Sequence, residues 1–336
     1  MSEVIVQAED LKSLVVKKLT ETNVSEEHAE VVADVLIHAD LRGVSSHGVL
    51  RTEHYVKRML EGGMNSDPQF NVEQKGASAA LFDGDNGMGH TISKEAMDHA
   101  IKLSKENGIG IVGVVNSSHC GALSYYAEQA AKKETISMIM THTDSAVVPF
   151  GGAEPYFGTN PIAYGFPANK HRPIVLDMAT SNVALGKVLH AKETGDRIPD
   201  NWGVDEKGAP ATDPNLVKHL LPVSGPKGYG LGLVVDVLTG VLTGSAFGPN
   251  ISTMYGEYNS YRRLSHVIVT INPGLFTNKD EFLENIDKVI DELHDVKPAE
   301  GFSSVMVPGE PEQLKEESRT KEGIPVPQGI YEYLKS

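Results

Sequence analysis

Short apolar runs alternate with stretches of helical periodicity between Ala79 and Ala191, and this alternation restricts the chain to an α/β architecture. Strands are expected at Ala79–Phe82, Gly110–Val115, Ile136–Met140, Ile162–Gly165 and Ile174–Asp177. Helices are expected over Ile92–Asn107, Ser118–Lys132 and Ala184–Ala191. Thr143–Pro167 is rich in Gly and Pro and reads as an ordered loop system. Gly228–Gly244 reads as a helix that its apolar stretch, Leu231–Leu242, buries, and Val267–Ile271 as another strand.

The flanks are helical. Ala8–Thr20 carries Leu11, Leu14, Val15 and Leu19 on one stripe. Ser25 is positioned as an N-cap, with Glu26 and Glu27 in the first turn and a stop at Gly43. A third helix is expected from Ser45 or Ser46 to Gly62-Gly63. After Asn278 an amphipathic helix runs to about His294, followed by a Pro- and Gly-rich stretch and a polar helix.

Gly108-Ile109-Gly110-Ile111-Val112-Gly113 matches GxGxxG, but a dinucleotide loop needs a strand before it and a helix opening within it. Here a helix precedes and Ile109–Val115 is itself the strand, so the Rossmann reading is disfavoured. Gly225-Pro226-Lys227-Gly228 likewise lacks Walker spacing.

A net charge of -15 argues against nucleic acid and anionic membrane surfaces as partners, although a pocket can reverse the field locally. One cysteine, Cys120, allows neither an internal disulfide nor a multi-cysteine metal site, and fits a reducing, cytoplasmic setting. The first residues mix Glu3, Glu9, Asp10 and Lys12 with apolar ones and do not read as a signal peptide. No run approaches the ~18 apolar residues of a membrane span. The histidines show no ligand spacing, so no metal is expected.

Two polar groups stand out. In a helix His47, Arg51 and Tyr55 would line one face, opposite Val49, Val56 and Leu60. That face is either solvated or an anion site, with a guanidinium able to grip a carboxylate in two places. His119 follows the Asn116-Ser117-Ser118 turn, just before the expected helix. There it is either a core or capping histidine or a general base, kept neutral by the helix dipole.

These residues resemble a known family. His38–Arg51 (HADLRGVSSHGVLR) is similar to the N-terminal signature of the malate/L-lactate dehydrogenase type without a Rossmann domain. The resemblance continues through Asn116–Tyr126, Gly158–Pro161, Asp177–Thr180, Ile198–Trp202 and Gly225–Gly230, covering essentially the whole chain. Val147–Glu154, Phe247-Gly248 and Ser252–Tyr255 are most similar to the ureidoglycolate-oxidising branch. Sister members act on malate, lactate, sulfolactate, diketogulonate or cyclic imino acids.

The resemblance implies a non-Rossmann NAD-binding fold and a homodimer. A central mixed-sheet α/β cofactor domain over about 76–249 would join a helical domain built from 1–75 and about 250–336. Positions matching the family's cofactor contacts are Thr143, Asp177, Met178, Ala179, Lys227, Gly309, Glu310 and Pro311, with NAD expected over NADP. His119 matches the base, Arg51 the carboxylate clamp, and His47, Ser46 and Tyr55 further substrate contacts. In some sister enzymes the residue matching His47 takes the acid/base role, and Asp144 is a candidate to orient an imidazole. The implied reaction is NAD-dependent oxidation of (S)-ureidoglycolate to oxalurate in allantoin (purine) catabolism. The alternatives are malate, lactate or a related 2-hydroxy acid, or a protein that binds a small anion without chemistry.

Overall fold

A computed structural model describes residues 2–336. Its elements in chain order are β1 (Glu3–Val6), α1 (Ala8–Thr20), α2 (Glu26–Leu41), α3 (Thr52–Leu60), β2 (Asn71–Gly76), β3 (Ala79–Asp83) and α4 (Gly89–Asn107). Then come β4 (Ile109–Ser117), α5 (Ser124–Lys132), β5 (Ile136–Thr141), β6 (Ile162–Phe166), β7 (Ile174–Met178) and α6 (Leu185–Thr194). The remainder are β8 (Gly203–Val204), β9 (His219–Leu220), α7 (Pro226–Asp236), β10 (Leu264–Ile271), α8 (Lys279–His294), α9 (Glu310–Glu322), β11 (Ile324–Pro327) and α10 (Gln328–Lys335).

The central sheet is mixed, in the order β2-β3-β4-β10-β5-β6-β7. Only β3 and β4 run parallel, joined by the α4 crossover; every other pair is antiparallel. Strand β10 lies at the centre, between β4 and β5. The sheet therefore reaches past the expected boundary at residue 249, because a strand from the C-terminal part completes its hydrogen bonding.

One face of the sheet packs on α4 and α5, burying Ile92, Met97, Leu123, Tyr126, Val112, Ile139 and Ile268 in one cluster. Each such aliphatic side chain contributes about 1.5–3 kcal/mol by leaving water. A second cluster joins both ends of the chain: Leu11, Val15, Leu19, Val32 and Leu36 pack with Ile324, Val326 and Leu334. Strands β1 and β11 tie the same ends together, with Val6 opposite Ile324. Four-residue strands carry too little alternation to stand out from helical flanks, and neither was expected.

The GxGxxG segment is structural. Gly108, at φ +83, ends α4, and Ile109 begins β4. A Cβ on Gly110 would lie 2.2 Å from the Ala100 carbonyl of α4. Glycine is needed there so that helix and sheet can approach.

Two expectations about helices are corrected. The segment from Ser45 is not one α-helix: Ser45–His47 and Val49–Arg51 are short 3-10 turns parted at Gly48, and α3 starts at Thr52. Asp40 causes the break. Its carboxylate accepts the Val49 N–H at 2.8 Å and lies 2.0–2.3 Å from where a Cβ on residue 48 would stand. The expected faces therefore do not form: Tyr55 is wholly buried whereas Leu60 is 71% exposed. The helix at α7 is not buried by its apolar residues either. Leu231, Leu233, Val234, Val237, Val241 and Leu242 are all exposed, because the helix and the π-helical turn after it cover the sheet with the other face.

Candidate active site

The C-terminal ends of β4, β5 and β7 and the start of β10 lie on one edge of the sheet, where open α/β sheets place ligands. The β4 end carries His119. Its loop is held against the start of α4, where Ser118 Oγ donates to Gly87 O at 2.9 Å and accepts from Gly89 N at 2.8 Å. Helix α5 begins at Ser124, well past His119, so the helix dipole does not act on the imidazole. Burial instead pushes its pKa well below the ordinary histidine value, with His47 and Arg51 adding to the effect. This shift favours the uncharged ring, and its cause is burial where the helix dipole was expected to act.

His119, His47 and Tyr55 converge although they come from different elements. The His47 and His119 rings stack at 5.5 Å between centroids. The Tyr55 hydroxyl lies 2.8 Å from His119 Nδ1, and the Gly121 N–H points at the same atom from 3.3 Å. Burial raises the Tyr55 phenol, so it stays protonated. Burial, helped by Arg51, pushes His47 down to about 4. The Ser46 hydroxyl sits 2.9 Å from His47 Nδ1 and holds that ring. His119 itself is half-buried.

Arg51 reaches into the same space. Its Nε donates to Ser46 O at 2.7 Å, and its Nη1 meets the Tyr255 hydroxyl and, at 3.9 Å, the Met254 sulfur. None of these partners is anionic, so its charge is free for a ligand anion.

Sequence reasoning missed the segment over Arg51. Ser252–Arg262 is fastened by two buried arginines, Arg58 of α3, about 200 positions away along the chain, and Arg262 within the segment. Arg58 donates to Met254 O, Glu257 O and Ser260 O, and Arg262 to Ser252 O. Asp144 does not orient an imidazole: it pairs with Arg262 and accepts the Met254 N–H at 3.1 Å. Chain separation hid these contacts, and no local pattern marks them.

The expected cofactor residues fall along the β5 and β7 exits. Thr143 Oγ1 accepts the Thr159 N–H at 3.1 Å, Thr159 O accepts Thr180 N at 2.8 Å, and Asn160 bridges Thr143 N to Gly232 O of α7. Asp177 accepts the Ser124 N–H at 2.7 Å, at the start of α5. Burial of the carboxyl raises its pKa, while the residue as a whole stays exposed. Met178 and Ala179 follow at the strand end. The tail passes beside the same strand: Val175 N donates to Pro308 O at 3.1 Å, and a Cβ on Gly309 would lie 2.7 Å from Val175 O. The Glu310 carboxylate is engaged by Val307 N and His294, while Pro311 is exposed. Lys227 is exposed in the first turn of α7.

The model of the family described as malate/L-lactate dehydrogenase matches residues 6–335. The chain belongs to the malate/L-lactate dehydrogenase family. Family members are oxidoreductases acting on CH–OH groups, and this chain is one of these dehydrogenases. A ureidoglycolate dehydrogenase (NAD(+)) of Escherichia coli O157:H7 is 43% identical over 98% of this chain and 94% of its own length. An L-sulfolactate dehydrogenase of Methanocaldococcus jannaschii is 38% identical over 98% and 95%. The solved sulfolactate dehydrogenase from Methanocaldococcus jannaschii superposes with TM-score 0.94 at 36% identity, covering 99% of this chain and 96% of that one. The crystal structure of malate dehydrogenase from Entamoeba histolytica gives 0.93 at 29%, covering 99% and 97%. Among the described residues no helix is long and apolar enough to cross a membrane.

Proposed function

We propose that the chain oxidises (S)-ureidoglycolate to oxalurate with NAD, with His119 as the base and Arg51 as the carboxylate clamp. The observation that carries this reading is the convergence, at one sheet edge, of an imidazole held uncharged by burial and an arginine that has no anionic partner among the described residues. The choice among hydroxy acids leans on the ureidoglycolate dehydrogenase relatives at 43% and 42% identity. Malate and sulfolactate dehydrogenases at 39% and 38% keep those 2-hydroxy acids as the second reading.

The residues suit a dinucleotide. Lys227 stands exposed at a helix N-terminus, where backbone N–H groups and the dipole favour a pyrophosphate. Thr143 and the β7 exit, Asp177–Ala179, share the sheet edge that carries His119, and Gly309 passes close beside the β7 backbone. NAD, when bound, takes the hydride from the carbinol carbon.

The chain's part is to orient the substrate and move one proton. Arg51 holds the carboxylate, its Nε already fixed on Ser46 O. His119 takes the hydroxyl proton at Nε2, the nitrogen facing away from Tyr55 and Gly121. This requires the tautomer with its proton on Nδ1, donating to the Tyr55 oxygen, so the Gly121 N–H, which has Nδ1 as its acceptor at 3.3 Å, gives up that contact in the reacting state. His47 stacks on His119 beside Arg51 and shapes the carboxylate seat. The exposed apolar face of α7 supports a homodimer, since a patch of that kind marks a protein contact.

The test is His119→Ala, assayed for NAD reduction and for NADH binding by fluorescence. Turnover should fall by at least about 100-fold, the usual share of a general base, with NADH affinity kept. Near-normal turnover would remove His119 from the chemistry. NADH binding by a wild-type chain that turns over no hydroxy acid would favour an anion-binding protein.

A further inference from the structure

We infer that Tyr255 is a specificity-determining residue, forming with Arg51 a joint clamp for the substrate carboxylate. The inference rests on the proposed hydroxy-acid reaction and adds a residue to the substrate site.

Three observations carry it. The Arg51 Nη1 group donates to the Tyr255 hydroxyl oxygen. A guanidinium has no acceptor, so the phenol accepts there and must give its own proton elsewhere. That proton has no partner among the described residues, and Tyr255 itself is 55% exposed, so the O–H is available to an incoming anion.

The ring is also held in place. It meets His54 edge-on at 5.2 Å, and His54 in turn packs on Tyr258. The neighbouring backbone is fastened on either side, with Met254 N on Asp144 and Met254 O and Glu257 O on Arg58. The hydroxyl thus stands in a fixed place beside the guanidinium.

Arg51 alone cannot offer its full fork. Its Nε is engaged by Ser46 O, which removes the side-on pair of donors and leaves the end-on pair, Nη1 and Nη2. Tyr255 extends that end-on pair with a third donor. A carboxylate oxygen seated between Nη1 and the phenol would receive hydrogen bonds from both. A ligand without a carboxylate would gain little from the pair. A charge-assisted hydrogen bond of this kind contributes about 1.5–3 kcal/mol, or roughly 10- to 100-fold in affinity.

The experiment compares wild type, Tyr255→Phe and Tyr255→Leu in steady-state oxidation of ureidoglycolate, malate, lactate and sulfolactate with NAD. Oxalate serves as a competitive inhibitor. For whichever acid the wild type oxidises, Tyr255→Phe should raise KM and the oxalate inhibition constant about 10-fold or more, leaving kcat and the KM for NAD within about twofold. Tyr255→Leu should match Tyr255→Phe, because the hydroxyl is the group lost in both.

Three results overturn the clamp. The first is an unchanged KM in Tyr255→Phe. The second is a lowered KM, which would mean that the phenol blocks Arg51. The third is a KM raised only in Tyr255→Leu, which would assign the role to the ring. Each leaves the hydroxy-acid reading intact, whereas a wild type inactive on every acid overturns that reading itself.

Discussion

In the proposed reaction the imidazole of His119 takes the proton, and its surroundings set the pH at which it can do so. Burial pushes its pKa well below the ordinary histidine value of 6.5, and the positive charge of Arg51 acts in the same direction. A base works in its deprotonated form, and lowering the pKa extends that form toward acid. The value of kcat/KM for oxidation should therefore stay level as pH falls from 8 through 6.5, and decline only at lower pH. A pH profile of kcat/KM measures this directly. An acid limb centred at or above 6.5 would show that the imidazole is not desolvated in the working enzyme. Tyr55 does not titrate in this range, because burial raises it further above its usual value of 10.

The 45–51 segment shows how one backbone feature assembles the site. A continuous helix would have set His47, Arg51 and Tyr55 in a row on one side. Instead the Asp40 carboxylate takes the Val49 N–H and breaks the segment into two tight turns at Gly48. The break lets His47 stack on His119 while Arg51 turns back to Ser46 O. Any side chain at position 48 would collide with the carboxyl of Asp40, which is itself only 4% exposed and cannot easily move aside. Gly48→Ala should thus cost on the order of 1–3 kcal/mol in chemical denaturation and lower kcat/KM. A change under about 0.5 kcal/mol would mean that the turn has room to relax.

This segment also marks where reading the sequence stopped. The amphipathic helices and the strands from β3 to β7 follow from periodicity, because each buries one face against its neighbour. His119 could be placed at a strand exit for the same reason. Gly48 gave no warning, since the carboxyl that requires it comes from another helix. The Arg58 and Arg262 contacts with Ser252–Arg262 depend on tertiary closure alone, and so does the approach of Tyr255 to Arg51. The short strands β1 and β11 pair across almost the whole chain. The candidate site residues could be named from the sequence, while the contacts that orient them could not.

At the scale of the molecule, a strongly acidic chain builds a cationic recess. The net charge is -15, yet Arg51 and Arg262 both act on His119 and Arg58 lies by Arg262, and among the described residues only Arg262 of the three forms an ion pair, with Asp144. The overall field repels anions, so selectivity for a small hydroxy acid must come from local hydrogen bonding in the cleft. The relatives align along almost the whole chain while differing in the hydroxy acid that they are named for, so the fold by itself does not set the substrate.

The most direct measurement is nicotinamide absorbance with the purified chain, offered ureidoglycolate, malate, lactate and sulfolactate in turn with NAD and with NADP. The account predicts the highest kcat/KM for (S)-ureidoglycolate with NAD. A higher kcat/KM for another acid or for NADP, or no absorbance change with any pair, would contradict it.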